Sequence, residues 1–136
     1  MKIVRHQDIA GAELRSAETF TGQAWGNVLH EPEELPGTRV TLVVFSPGAR
    51  SWWHSHDEGQ VIYAVSGLGL IATKEPGSAR QIRAGDTVIV PPHEPHWHGA
   101  MRNSFLLHLT VNTGNYHHTH WLGEEVSADE YEAAHG

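Results

Sequence analysis

Four side chains carry the chemistry that can be read first. His54 and His56 flank a single serine, Gln60 follows within one short turn, and His96 lies well downstream. Side chains alternate across a β-strand, so a His-x-His pair presents both imidazoles on one face. Gln60 has the same parity and returns to that face if the Asp57-Glu58-Gly59 turn allows it. His96 must arrive from another strand. Three imidazole nitrogens and one amide carbonyl make a cap for a single divalent cation. The chain has no cysteine, so disulfides and thiolate ligation are excluded and nitrogen and oxygen must hold any metal. With 12 histidines in 136 residues, one His-x-His could arise by coincidence. Glycines and prolines flank both the pair and His96, at Gly85-Asp86 and Pro91-Pro92 among others, which weighs against coincidence.

Other residues join the candidate list on parity. His98 shares the face of His96, either as a further ligand or as pocket lining, against the alternative of a hydrogen-bonded barrel histidine. His108 is expected in the pocket as a base. Trp52 and Trp53 alternate in direction, one for the core and one for a pocket wall or an interface, and Trp53 is assigned to the pocket. Trp97 is assigned to the core. His117, His118 and His120 resemble a second metal cluster, but they fall in an expected loop and read better as a solvated or interface segment.

The elements that must position these residues are short and β-prone. The 14 glycines and 7 prolines punctuate runs at 39–45, 51–56, 60–65, 68–74, 80–83, 87–90, 96–99 and 105–111. Residues 1–25 read as irregular, with an edge strand near 20–24. Regular spacing of short strands predicts an all-β sandwich or closed barrel in a single domain over 1–136, with its barrel core at about 39–112. In the last strand Phe105, Leu107, Leu109 and Val111 form an apolar face. Leu106, His108, Thr110 and Asn112 form a mixed face suited to a polar pocket. Ser127-Ala128-Asp129-Glu130 has capping-box spacing and predicts a short C-terminal helix. The net charge of −7 argues against nucleic acid or an anionic membrane as partner. Neither an apolar leader nor a membrane-spanning run is seen, and a soluble cytoplasmic protein is expected.

Two segments resemble the motifs of the cupins. Gly48-Ala-Arg-Ser-Trp-Trp-His54-Ser-His56-Asp-Glu-Gly-Gln60, ending at Gly67, resembles the first, and Gly85-Asp-Thr-Val-Ile-Val-Pro91-Pro-His-Glu-Pro-His96 the second. The likeness implies a double-stranded β-helix, or jelly-roll, barrel. Gln60 stands where most cupins carry a glutamate ligand, and His93 where the motif has glycine. Trp53 before the histidine pair, the string His96-Trp97-His98-Gly99-Ala100, His108-Leu109, Phe20-Thr21-Gly22 and the tail from Trp121 to Tyr131 are similar to small bacterial cupins with (R)-selective hydroxynitrile lyase activity. That resemblance implies His54, His56, Gln60 and His96 as ligands of manganese or iron, with zinc or nickel as alternatives. It also implies Ser51 and His108 as substrate-handling positions, Ser51 in place of a threonine, with Asn112 where a glutamine is expected. Cupins commonly pair through sheet edges, so a homodimer or homotetramer is expected.

The leading functional expectation is a metal-dependent lyase or aldol-type enzyme acting on a small carbonyl or hydroxy compound. A glutamine ligand leaves the dication's charge uncompensated, which favours an anionic ligand or product. Three alternatives stand beside it: cyclisation of an aromatic polyketide, a cupin dioxygenase, and a non-catalytic small-molecule binding module.

Overall fold

The computed structural model describes residues 1–31, 35–114 and 119–136. Twelve strands appear among them. The first six are β1 (Glu13–Leu14), β2 (Phe20–Thr21), β3 (Ala24–His30), β4 (Thr38–Phe45), β5 (Arg50–Ser51) and β6 (His54–His56). The others are β7 (Gln60–Thr73), β8 (Arg80–Arg83), β9 (Thr87–Val90), β10 (His96–Ala100), β11 (Leu106–Thr113) and β12 (Thr119–Trp121). One α-helix, α1 (Ala128–Ala134), follows.

Two antiparallel layers share one long strand. The first half of β7 pairs with β11 and β9, and β11 continues through β4 and β3 to β1. The second half pairs with β10 and β8, and β10 also meets β5 and β6. The change of layer falls at Gly67, whose φ is 86° and where an added Cβ would lie 1.9 Å from the Phe105 carbonyl oxygen. Only glycine combines that dihedral with that approach. The runs expected at 60–65 and 68–74 are therefore one strand folded at a glycine corner.

Alternation sorts the side chains. Along β4, Thr41, Val43 and Phe45 are buried while Val40, Leu42 and Val44 are half-buried on the other face. Leu106, His108 and Thr110 of β11 are buried beside them, so the mixed face of that strand, not its apolar one, lines the interior. Phe45, Ile62, Ala64 and Leu106 form the interior core.

A second apolar cluster lies on the reverse face of β10. Trp53, Leu70, Trp97 and Val126 pack there with Tyr131 and Ala134 of α1. The helix starts with a reciprocal capping box between Ser127 and Glu130, as the spacing predicted. Tyr131 Oη donates to the Ala100 carbonyl at 2.8 Å, anchoring α1 to β10.

Two corrections concern strands. The irregular N-terminal reading missed β3, a seven-residue strand paired along β4, because Gly26 and Asn27 interrupt its β-prone pattern. His120 was expected in a loop, yet β12 pairs with β6 and sets His120 opposite Ser55. His117 and His118 lie outside the described residues. Among the described residues no helix is long and apolar enough to cross a membrane.

Candidate metal centre and its cavity

The ladder brings the first histidines together. His96 of β10 faces His54 of β6 in register, and His56 lies two residues along the same face. One ligand atom from each of the three lies within 4.8 Å of the others, and all three residues are buried. The Nδ1 of His54 stands 2.8 Å from the Trp52 carbonyl oxygen, and that of His96 2.9 Å from the Glu94 carbonyl oxygen. A carbonyl only accepts, so each Nδ1 carries the proton and each Nε2 keeps its lone pair free. His96 Nε2 and both ring nitrogens of His56 are buried without a hydrogen-bond partner.

Gln60 completes the arrangement. Its Nε2 donates to Asn112 Oδ1 at 3.3 Å, which fixes the amide so that Oε1 is left buried and unpartnered. Buried polar atoms are nearly always satisfied, so a group of such orphans turned toward one place has a missing partner. The donor set of neutral imidazoles and one amide oxygen fits a divalent transition metal.

Charge state agrees with geometry. Burial, then the neighbouring His96, pushes His54 well below its ordinary value. The same two causes, in that order, bring His56 to about 4. Burial also lowers His96. All three are neutral near pH 7, the form that ligates.

A cavity of about 320 Å³ opens beside the cap. Ser51, His98, His108 and Asn112 line it, together with His54, His56 and Gln60. His108 Nε2 and His98 Nδ1 are 2.9 Å apart, and both residues are buried. Burial, then the charge of His108, drives His98 well below its ordinary value, and burial lowers His108 to about 4. The pair is therefore neutral, with one proton held between the rings. Ser51 Oγ accepts from the His98 backbone N–H at 3.2 Å and holds β5 against this strand.

One assignment is corrected. Trp53 does not line this cavity. It lies in the reverse cluster with Trp97 and Tyr131, and Lys74 Nζ sits 3.7 Å from its ring centroid. The residue adjoining a ligand on a strand faces away from that ligand, so His54 inward requires Trp53 outward. Trp52 donates from Nε1 to Thr21 Oγ1 at 3.1 Å.

Sequence reasoning missed several lining residues. Arg39 and Thr41 share the inward parity of Val43 on β4, a signal the alternation carried. Arg15, Phe20 and Trp121 also line the cavity, but from segments whose placement depends on pairing distant in sequence. Trp121 lies 4.8 Å from the His54 ring and 5.6 Å from the Phe20 ring, centroid to centroid.

A histidine cap at one end of a two-layer β-barrel defines a class of small metal-site proteins. The chain belongs to the cupin family, whose Cupin_2 "Cupin domain" model matches residues 41–111. It is 36% identical over 95 residues to an (R)-mandelonitrile lyase from Granulicella tundricola, covering 70% of this chain and 72% of that protein. A crystal structure of a cupin-like protein from Thermotoga maritima superposes with a TM-score of 0.83 at 37% identity, covering 89% of this chain and 91% of that one. The polyketide cyclase RemF from Streptomyces resistomycificus superposes with a TM-score of 0.76 over 100% of this chain and 94% of its own, at 20% identity, and so shares the fold.

Proposed function

We propose that this cupin is a metal-dependent lyase that cleaves or forms a carbon–carbon bond next to the oxygen-bearing carbon of a small carbonyl or hydroxy compound, as hydroxynitrile lyases do. The observation that carries the reading is the buried group of His54, His56 and His96, with ring nitrogens of His56 and His96 and the Gln60 Oε1 unpartnered, beside a cavity that the neutral His98–His108 pair also lines. The likeness to a mandelonitrile lyase over most of both chains supports it.

His54, His56 and His96 would hold the ion through imidazole nitrogens, and Gln60 through Oε1. A divalent cation supplies electrostatic stabilisation to a developing oxyanion or a released anion. The residues of the chain do the rest. Asn112 fixes Gln60 so that an amide oxygen, not an amide nitrogen, faces the cap. His98 and His108 take the hydroxyl proton as the carbon–carbon bond breaks and the carbonyl forms, and return it to the leaving carbon. Because both rings start neutral, the pair accepts this proton without first losing one to water. Phe20, Phe45 and Trp121 wall the cavity with aromatic surface and keep water from the anion.

Those aromatic walls also favour a second reading, intramolecular aldol cyclisation of a flat aromatic polyketide, which would use the same residues in the same roles. The two separate in one assay. Metal-loaded protein is incubated with mandelonitrile, and benzaldehyde release is followed by absorbance. Metal-dependent release of one enantiomer's product is expected, and release should cease after chelation. No release above buffer from metal-loaded protein would leave cyclisation as the better account.

A further inference from the structure

The cavity carries charge of one sign only. In a chain of net charge −7, the described residues that line it include two arginines and no carboxylate. With a glutamine where most cupins have a glutamate, the cap adds no negative charge either. Arg39 and Thr41 project inward from β4, and Arg39 pairs in register with Asn112, the residue that holds Gln60. Arg39, Asn112 and Gln60 therefore form a row across three adjacent strands. Two inter-strand steps of about 4.8 Å separate the ends of that row, so the Arg39 backbone is about 10 Å from that of the candidate ligand Gln60. A small molecule can bridge that distance.

Both guanidiniums are prepared for a guest. Arg39 Nε is buried without a hydrogen bond; the Glu31 carboxylate forms an ion pair with it at 3.7 Å, beyond hydrogen-bond reach. Arg15 lies over β3 at Gly26, where an added Cβ would fall 1.8 Å from its Nη2. The absence of a side chain at Gly26 is what lets Arg15 lie there. Two like charges share the space: after burial itself, Arg39 is felt at Arg15 as a repulsive neighbour, and Glu13 opposes it as a smaller attractive one. Two partly buried guanidiniums repel, and a bound anion between them would relieve what Glu13 and Glu31 at the margin do not.

We propose that Arg15 and Arg39 form a carboxylate clamp at the far end of the cavity, and that the substrate is a small, flat carboxylic acid whose carbonyl or hydroxyl group lies at the histidine cap. A planar carboxylate matches the forked donors of a guanidinium, and the aromatic walls sandwich the body between the two ends. The inference rests on reading the cavity as the carbonyl site described above, and it narrows the substrate class.

The test compares 4-formylbenzoate, whose carboxylate and carbonyl stand at opposite ends of one ring, with its uncharged methyl ester by titration calorimetry on metal-loaded protein. Wild type is expected to bind the acid about ten-fold or more tightly than the ester, the range of a charge-assisted pair. In the Arg15→Gln/Arg39→Gln variant the acid should lose that advantage, while ester affinity and metal content stay as they were. Gly26→Ala, which must displace Arg15, should move the ratio the same way. The preference for the acid should persist in chelated protein, because the clamp does not depend on the metal. Equal affinity for acid and ester in wild type overturns the clamp. So does a preference that the double variant retains, since the carboxylate would then sit on the cap. Loss of mandelonitrile cleavage with the acid preference intact would overturn only the reaction, not the clamp.

Discussion

The two faces of β6 and β10 were built by the same alternation and ended up opposite in chemistry. Inward, His54, His56, His96 and His98 crowd together, with ring nitrogens of His56 and His96 left unpartnered. Outward, Trp53 and Trp97 pack against α1, Leu70 and Val126. Neighbours in sequence, Trp53 with His54 and His96 with Trp97, thus belong to different tasks. The outer face closes the barrel with apolar area, each large side chain stabilising by roughly 1.5–3 kcal/mol. The inner face spends stability. It buries neutral imidazoles whose hydrogen bonds are incomplete, a cost of about 1–3 kcal/mol for each unsatisfied group. Such a cost on one side of a strand, offset on the other, is what a binding site looks like in energetic terms.

The comparison breaks cleanly if mutations on the two faces have separable effects. The largest effect belongs to the inner face. His108→Ala should retain fold and metal but lose turnover by about two to four decades, the range for removing a general base. The check is steady-state kinetics with elemental analysis on the same sample, and unchanged turnover would return His108 to a packing role.

On the outer face, Trp97→Ala should cost about 3–5 kcal/mol in denaturant unfolding, because a fully buried indole leaves a cavity between β10 and α1. Folded protein should still carry its metal. Loss of metal at a loss of stability under 1 kcal/mol would mean that the two faces are not independent.

A smaller and graded effect comes from pH. His108 has a folded value of about 4 against 6.5 in an unfolded chain. Its folded value is depressed and its neutral form is the native one. The unfolded chain therefore binds the extra proton, and the stability is present above pH 6.5 and lost as pH falls toward 4. The difference corresponds to about 3 kcal/mol for this residue alone. His56 titrates in the same direction. Metal-free protein should therefore unfold at progressively lower urea between these pH values. A flat profile would show that the inner histidines are solvated.

Much of this contrast was legible in the sequence. Period-two parity placed His54, His56, Gln60, His98 and His108 on the cavity lining, with His96 in register beside His54, and it set the mixed face of β11 inward. Capping chemistry gave α1. What local pattern could not carry was pairing between distant segments. β3 and β12 are set by their registers against β4 and β6, so Trp121 reached the His54 ring unannounced. The same limit hid Arg15, whose place depends on the bare backbone of Gly26. Trp53 was a different kind of miss. Its alternation with Trp52 left two faces open, and parity with respect to His54 selects the outward one. His93 adds a point in the other direction. Its φ of 66° is a left-handed conformation for a residue with a Cβ, which explains why glycine is the motif's usual choice there.

The proposed function stands on whether His54, His56, His96 and Gln60 together hold one divalent ion. The direct test is elemental analysis of wild type and His96→Ala, purified identically, reconstituted with manganese or iron, and dialysed before measurement. Wild type should retain about one equivalent per chain and His96→Ala should retain little, because two imidazoles and an amide oxygen bind a divalent ion far more weakly than three and one. Equal retention by both proteins, or none by either, would contradict the assignment of this cap as a metal centre.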